Sequence, residues 1–131
     1  MAAAPLRLTK LTHGGGGGCK VAPDILARIL SGIKPGIIPP QLLVGREGSD
    51  DAAVYQISAQ QAIVATTDFF TPVVDDPYDF GRIAATNAIS NIYAMGATPL
   101  FALALVGMPL NALPLEAIGK VLEGGEAVCR Q

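Results

Sequence analysis

The chain has 131 residues, half of them hydrophobic, with 9 Lys and Arg against 11 Asp and Glu and a formal net charge of −2. That length bounds it to one domain or part of one, with enough apolar residues for a core. Without a basic stripe or interleaved aromatics, nucleic acid is excluded as the expected partner.

The first ten residues lack a basic segment followed by an apolar run, so no secretory leader is expected. The longest apolar stretch, Pro99 to Leu110, is too short to span a bilayer. Cys19 and Cys129 make no disulfide framework. These features together predict a cytoplasmic, reducing location. Cys129 is expected to be a packed thiol on a helix, and Cys19 to sit in a mobile context.

Residues 1–20 read as an irregular arm that carries His13, five consecutive glycines, Cys19 and Lys20. Glycine loses more backbone freedom on ordering than any other residue, so the arm is expected to be mobile until bound. Two readings stand: a flexible linker, or a phosphate-binding lid whose backbone N–H groups wrap an anion while Lys20 supplies charge. Neither of two familiar motifs is present. A P-loop fails because Cys19 stands for its last glycine and Val21 for its Ser or Thr, and a dinucleotide fingerprint counted from Gly14 fails at Cys19.

The remainder, residues 21–131, is expected to form one layered α/β domain. Ile25, Leu26, Ile29 and Leu30 share a stripe that predicts a helix over 24–32. Pro35, Gly36, Pro39 and Pro40 break it into a loop. Ala52–Ile57 and Gln61–Thr66 read as neighbouring strands or a hairpin. Asp75 to Pro77 mark a turn. Phe80–Met95 is the strongest helix, closed by Gly96. Pro99–Val106 reads as a buried strand in the same sheet. Pro114–Arg130 reads as a second long helix, whose Gly124-Gly125 pair implies close backbone packing. A helix that reaches Gln131, where a sheet would continue, suggests a fragment.

Carboxylates gather at strand ends. Gly48-Ser49-Asp50-Asp51 precedes the first strand of the pair, and Thr66-Thr67-Asp68 follows the second. On neighbouring strands Asp51 and Asp68 can converge, and oxygen donors of this kind suit Mg²⁺. Alternatively each Asp forms a turn or cap. Asn87 and Asn91, four apart, share a helix face. They either face the same pocket or bond backbone carbonyls.

In combination, His13 to Lys20, Gly48 to Val54, Thr66 to Phe70, Phe80 to Ser90, and Glu123 to Gln131 resemble selenophosphate synthetase (selenide, water dikinase). The likeness runs in order along essentially the whole chain. The wider superfamily, with aminoimidazole ribonucleotide synthetase, shares the acidic motif but not the glycine-rich arm. The resemblance implies an N-terminal domain with a mixed sheet, helices on one face, and dimerisation through the sheet. It implies ATP-dependent synthesis of selenophosphate from selenide, with AMP and phosphate released, Mg²⁺ and typically K⁺ required, and a homodimer as the working form. By motif position it assigns catalysis to Lys20, nucleotide contacts to Lys20, Gly48, Ser49, Asp50, Asp68 and Asn91, and metal binding to Asp51, Asp68 and Asn91. The sequence departs from the pattern at two positions. Gly17 stands where the family has its reactive Cys or selenocysteine, and Asn91 where it has a metal-binding Asp. The chain also ends before the family's C-terminal domain. A non-catalytic paralogue or truncated fragment, keeping the fold and the nucleotide and dimer surfaces, is the alternative reading.

Overall fold

The computed structural model describes residues 4–12, 14, 20–45, 48 and 51–131. A short 3-10 turn, Leu8–Leu11, precedes helix α1, Pro23–Ser31. Strands β1 (Leu42–Val44), β2 (Ala53–Gln56) and β3 (Ala62–Ala65) follow, then helices α2 (Pro77–Ala94) and α3 (Leu115–Cys129). The strands make one sheet in the order β1-β2-β3. Where a mixed sheet was expected, the described strands all pair antiparallel. The β2–β3 hairpin stands as expected, with Ala53 opposite Ala65 and Gln56 opposite Ala62. β1 was unforeseen. It is three residues long, follows two prolines, and exists only because β2 offers it a ladder.

α2 begins one turn earlier than its apolar pattern. Asp76 caps it by accepting from the Asp79 backbone N–H at 2.9 Å, and Pro77 occupies the first turn. A proline there removes an N–H that has no helical partner anyway. Past the other end, Gly96 takes φ 72°, the left-handed conformation that a helix-closing glycine adopts.

α2 and α3 cross almost backbone to backbone. A β-carbon on Gly124 would lie 2.0 Å from the Tyr78 carbonyl oxygen, and one on Gly81 would lie 1.9 Å from that of Val121. The expected packing role of the Gly124-Gly125 pair is thus met at Gly124, with Gly81 as its unforeseen counterpart. Beside this crossing lies the described core: Leu8, Phe80, Leu113 and Ala117, with Phe70, Val74, Met108 and Val121 against it. Phe70 meets Phe80 edge-to-face, centroids 5.9 Å apart, a favoured aromatic geometry. Leu8, at 1% exposure, fastens the N-terminal segment into this core.

Two expectations are corrected. Pro99–Val106 is not a strand: it pairs with no described strand, and Leu100, Phe101, Leu103 and Leu105 are all more than 80% exposed. A strand is stabilised by its neighbour's ladder and by cover on its faces. An apolar run without either stays irregular. Cys129 is helical but exposed rather than packed, because the last turn of α3 reaches past the core. α1 has the expected stripe, yet Ile25, Leu26 and Ile29 remain exposed and the helix buries no residue. No described helix is long and apolar enough to cross a membrane.

Candidate functional site

The hairpin and α2 bring the site together. Past the end of β3, the chain runs through Thr66 and Thr67 to Asp68. The register that sets Ala53 against Ala65 places Thr66 beside the start of β2, where its hydroxyl donates to the Asp51 carbonyl at 3.0 Å. From α2, Asn87 Nδ2 donates to Asp68 Oδ2 at 2.6 Å, and Asn91 Nδ2 donates to Thr66 Oγ1 at 3.2 Å and to Asp68 Oδ2 at 3.5 Å. One helical turn separates the two amides, so both reach the same carboxylate. On its other oxygen Asp68 accepts from Lys20 Nζ, and the two form an ion pair. The same ammonium lies 5.2 Å from the centroid of the Phe69 ring, within cation–π range.

Asp68 is therefore the hub of the described site, with its side chain only 17% exposed. The hydrogen bond from Lys20 does most to hold its carboxyl below the usual carboxylate range. Partial burial opposes this, and the Lys20 charge, Asn91 and the Phe69 backbone N–H add to it. A depressed carboxyl that already accepts from several donors is ionised at neutral pH and ready to face a cation.

Of the residues expected to act, Lys20, Asp68 and Asn91 are brought together. Asp51 is near them through its backbone carbonyl. Its exposed side chain borders a cavity of about 340 Å³, shared with Thr66, Thr67, Gly45 and Leu42. Gly48 is exposed, on a turn whose N–H meets the Gly45 carbonyl at 3.4 Å. Gly17, Cys19, Ser49 and Asp50 lie outside the described residues. Asn87, weighed on sequence either to face the same pocket or to bond backbone carbonyls, makes the shortest amide contact to Asp68. Thr66 and Phe69 escaped sequence reasoning. Their signal was adjacency to Asp68, which says nothing of direction.

The donor set fits a hard divalent cation in kind. Asp51 and Asp68 offer carboxylates and Asn91 an amide oxygen, and oxygen-only ligands suit Mg²⁺. Among the described residues no group of three acidic, His or Cys side chains is assembled. A cation here would draw its remaining ligands from phosphate and water.

Residues 49–131 match the family model described as AIR synthase related protein, N-terminal domain. The chain belongs to that family. Within this AIR synthase related group it is 75% identical over 95% of its length to the selenide, water dikinase of Dechloromonas aromatica (strain RCB). It is 66% identical over 98% of its length to the protein of the same name from Burkholderia pseudomallei (strain K96243), and 67% over 95% to that of Pseudomonas straminea. The match covers 36%, 36% and 35% of those three relatives, so the chain spans about a third of their length. The resemblance to selenophosphate synthetase, in its N-terminal part, holds along nearly the whole chain.

Proposed function

We propose that this chain is the nucleotide- and metal-handling domain of a selenophosphate synthetase, which converts selenide, ATP and water to selenophosphate, AMP and phosphate. The Lys20–Asp68 ion pair, set against Asn87 and Asn91, carries this reading. A cation and a depressed carboxylate meet at a strand end. Phosphoryl transfer requires positioning and charge neutralisation rather than elaborate side-chain chemistry. In this reading Asp51, Asp68 and Asn91 hold Mg²⁺ against the nucleotide phosphates. The ion supplies neutralisation of the developing phosphate charge. Lys20 leaves Asp68 for a phosphoryl oxygen, and Gly48, Ser49 and Asp50 contact ATP. K⁺ is a second cation by family likeness. A cytoplasmic location follows from the same likeness.

A homodimer completes the proposal. The bare run Leu100 to Leu105 is apolar surface of the kind that marks an interface. Sedimentation at micromolar concentration tests it, and a monomer counts against it.

Two residues favour the alternative of a non-catalytic relative. Gly17 offers no thiolate for selenium, and Asn91 brings no negative charge to the metal. Calorimetric titration with Mg²⁺-ATP, followed by a selenide-dependent AMP assay, separates the readings. Binding that is lost in Lys20→Ala and Asp68→Asn supports the nucleotide site. Binding without AMP formation favours the non-catalytic relative. No binding overturns both.

A further inference from the structure

Arg7, Thr9, Gly14 and Lys20 are each held by the loop between β3 and α2. Arg7 Nε donates to Asp75 Oδ2 at 3.2 Å, while the Thr9 backbone N–H and hydroxyl donate to Oδ1 at 3.1 and 2.6 Å. Thr71 donates its hydroxyl to the Gly14 carbonyl, and Lys20 pairs with Asp68. As the N-terminal segment advances from 9 to 14 to 20, its partners recede from 75 to 71 to 68. These described contacts therefore run in opposite chain directions, with Leu8 buried in the core at one end. Beyond Lys20, α1 buries no residue and so supplies little grip from that side.

We propose that Asp75 is a positioning residue for Lys20. The proposal rests on the reading of Lys20 as the cation that meets the phosphates. Lys20 lies eleven positions after Thr9, a reach of ~36–40 Å when extended. With Thr9 held by Asp75 and Gly14 by Thr71, Lys20 lies six residues past the last hold, a reach of ~20 Å. A shorter tether raises the effective concentration of its end at a fixed target. Asp75 thereby sets how often Lys20 is found at Asp68 without touching either. Its carboxylate suits the task because one oxygen accepts twice from Thr9 while the other faces Arg7. The loop that bears it also bears Asp68, so anchor and target move together.

The test is zero-length carbodiimide coupling of the Lys20 amine to the Asp68 carboxylate, read by mass spectrometry of the linked peptides in the full 131-residue chain. No nucleotide is present. Asp75→Ala is expected to lower the yield of this one linkage on the order of fivefold to tenfold. Asp75→Asn, whose amide oxygen still accepts from Thr9, is expected to recover most of it. Thr9→Val, which removes only the hydroxyl contact, is expected to lower it about threefold at an unchanged thermal melt, and it decides the matter if Asp75→Ala fails to fold. Parental yield in folded Asp75→Ala overturns the proposal. So does parental yield in Thr9→Val, or a loss in Asp75→Asn as large as in Asp75→Ala. Mg²⁺-ATP titration of Lys20→Ala is run separately. Unchanged affinity there sinks the functional reading of Lys20 while leaving the coupling result to judge the anchor.

Discussion

Asn87 donates to Asp68 Oδ2 at 2.6 Å, from a helix that starts at Pro77, beyond the loop that carries Asp68. The bond is charge-assisted and ties the second half of α2 to the end of the hairpin. Asn87→Ala is expected to weaken Mg²⁺-ATP binding by about fivefold, the equivalent of ~1 kcal/mol for one partly solvated hydrogen bond to a charged group. Calorimetric titration measures it. An affinity equal to the parent's would mean that the amide plays no part in the site.

Restoring charge at position 91 acts in the opposite direction. Asn91 lies 3.5 Å from Asp68 Oδ2, so Asn91→Asp sets two carboxylates side by side. They repel unless a cation sits between them. Mg²⁺ affinity is expected to rise on the order of tenfold, with the melting temperature lowered without metal and recovered on its addition. Gly17→Cys added to this variant is expected to leave Mg²⁺ affinity unchanged, since thiolate is a poor ligand for that ion.

The helix crossing gives a paired prediction about stability. Gly124→Ala would place a β-carbon 2.0 Å from the Tyr78 carbonyl oxygen. Backbone cannot step aside as a side chain can, so the variant is expected to lose about 1–3 kcal/mol or more. Gly119, on the same helix, has open space where a β-carbon would go. Gly119→Ala is expected to gain up to ~1 kcal/mol from helix propensity. Thermal melts of the two variants should therefore move in opposite directions.

Acid should release the N-terminal segment before the helices melt. The Thr9 hydroxyl, then its backbone N–H, hold the Asp75 carboxyl below the usual aspartate range; desolvation opposes them, and Arg7 adds a lesser lowering contribution. Because the folded pKa is lower than the unfolded one, the contact's contribution is fully present above the unfolded value. It fades as pH falls through the folded value. In a pH series, hydrogen exchange at the Thr9 amide is expected to stay protected at neutral pH and to lose protection in the acid range. Protection that persists after Asp75 protonates would show that Leu8 burial alone holds the segment.

Much of this protein is legible without coordinates. The β2–β3 hairpin, α2, α3 and the glycine that closes α2 follow from local rules: alternation, helical stripes, caps and breakers act within a few residues. The i, i+4 spacing of Asn87 and Asn91 placed both amides on one face, and the carboxylate at the strand end marked where that face would point. The same local rules could not place Pro99–Val106, whose strand character depends on a neighbour rather than on itself. They could not show that α1 leaves its stripe bare or that Cys129 lies outside the core, since burial is decided by what other elements reach. Nor could they distinguish Asp68, the shared acceptor of Lys20, Asn87 and Asn91, from Asp75, the acceptor of Arg7 and Thr9. Both are aspartates in the loop between β3 and α2. Which donors converge on a carboxylate is a long-range property of the chain, and only the tertiary structure decides it.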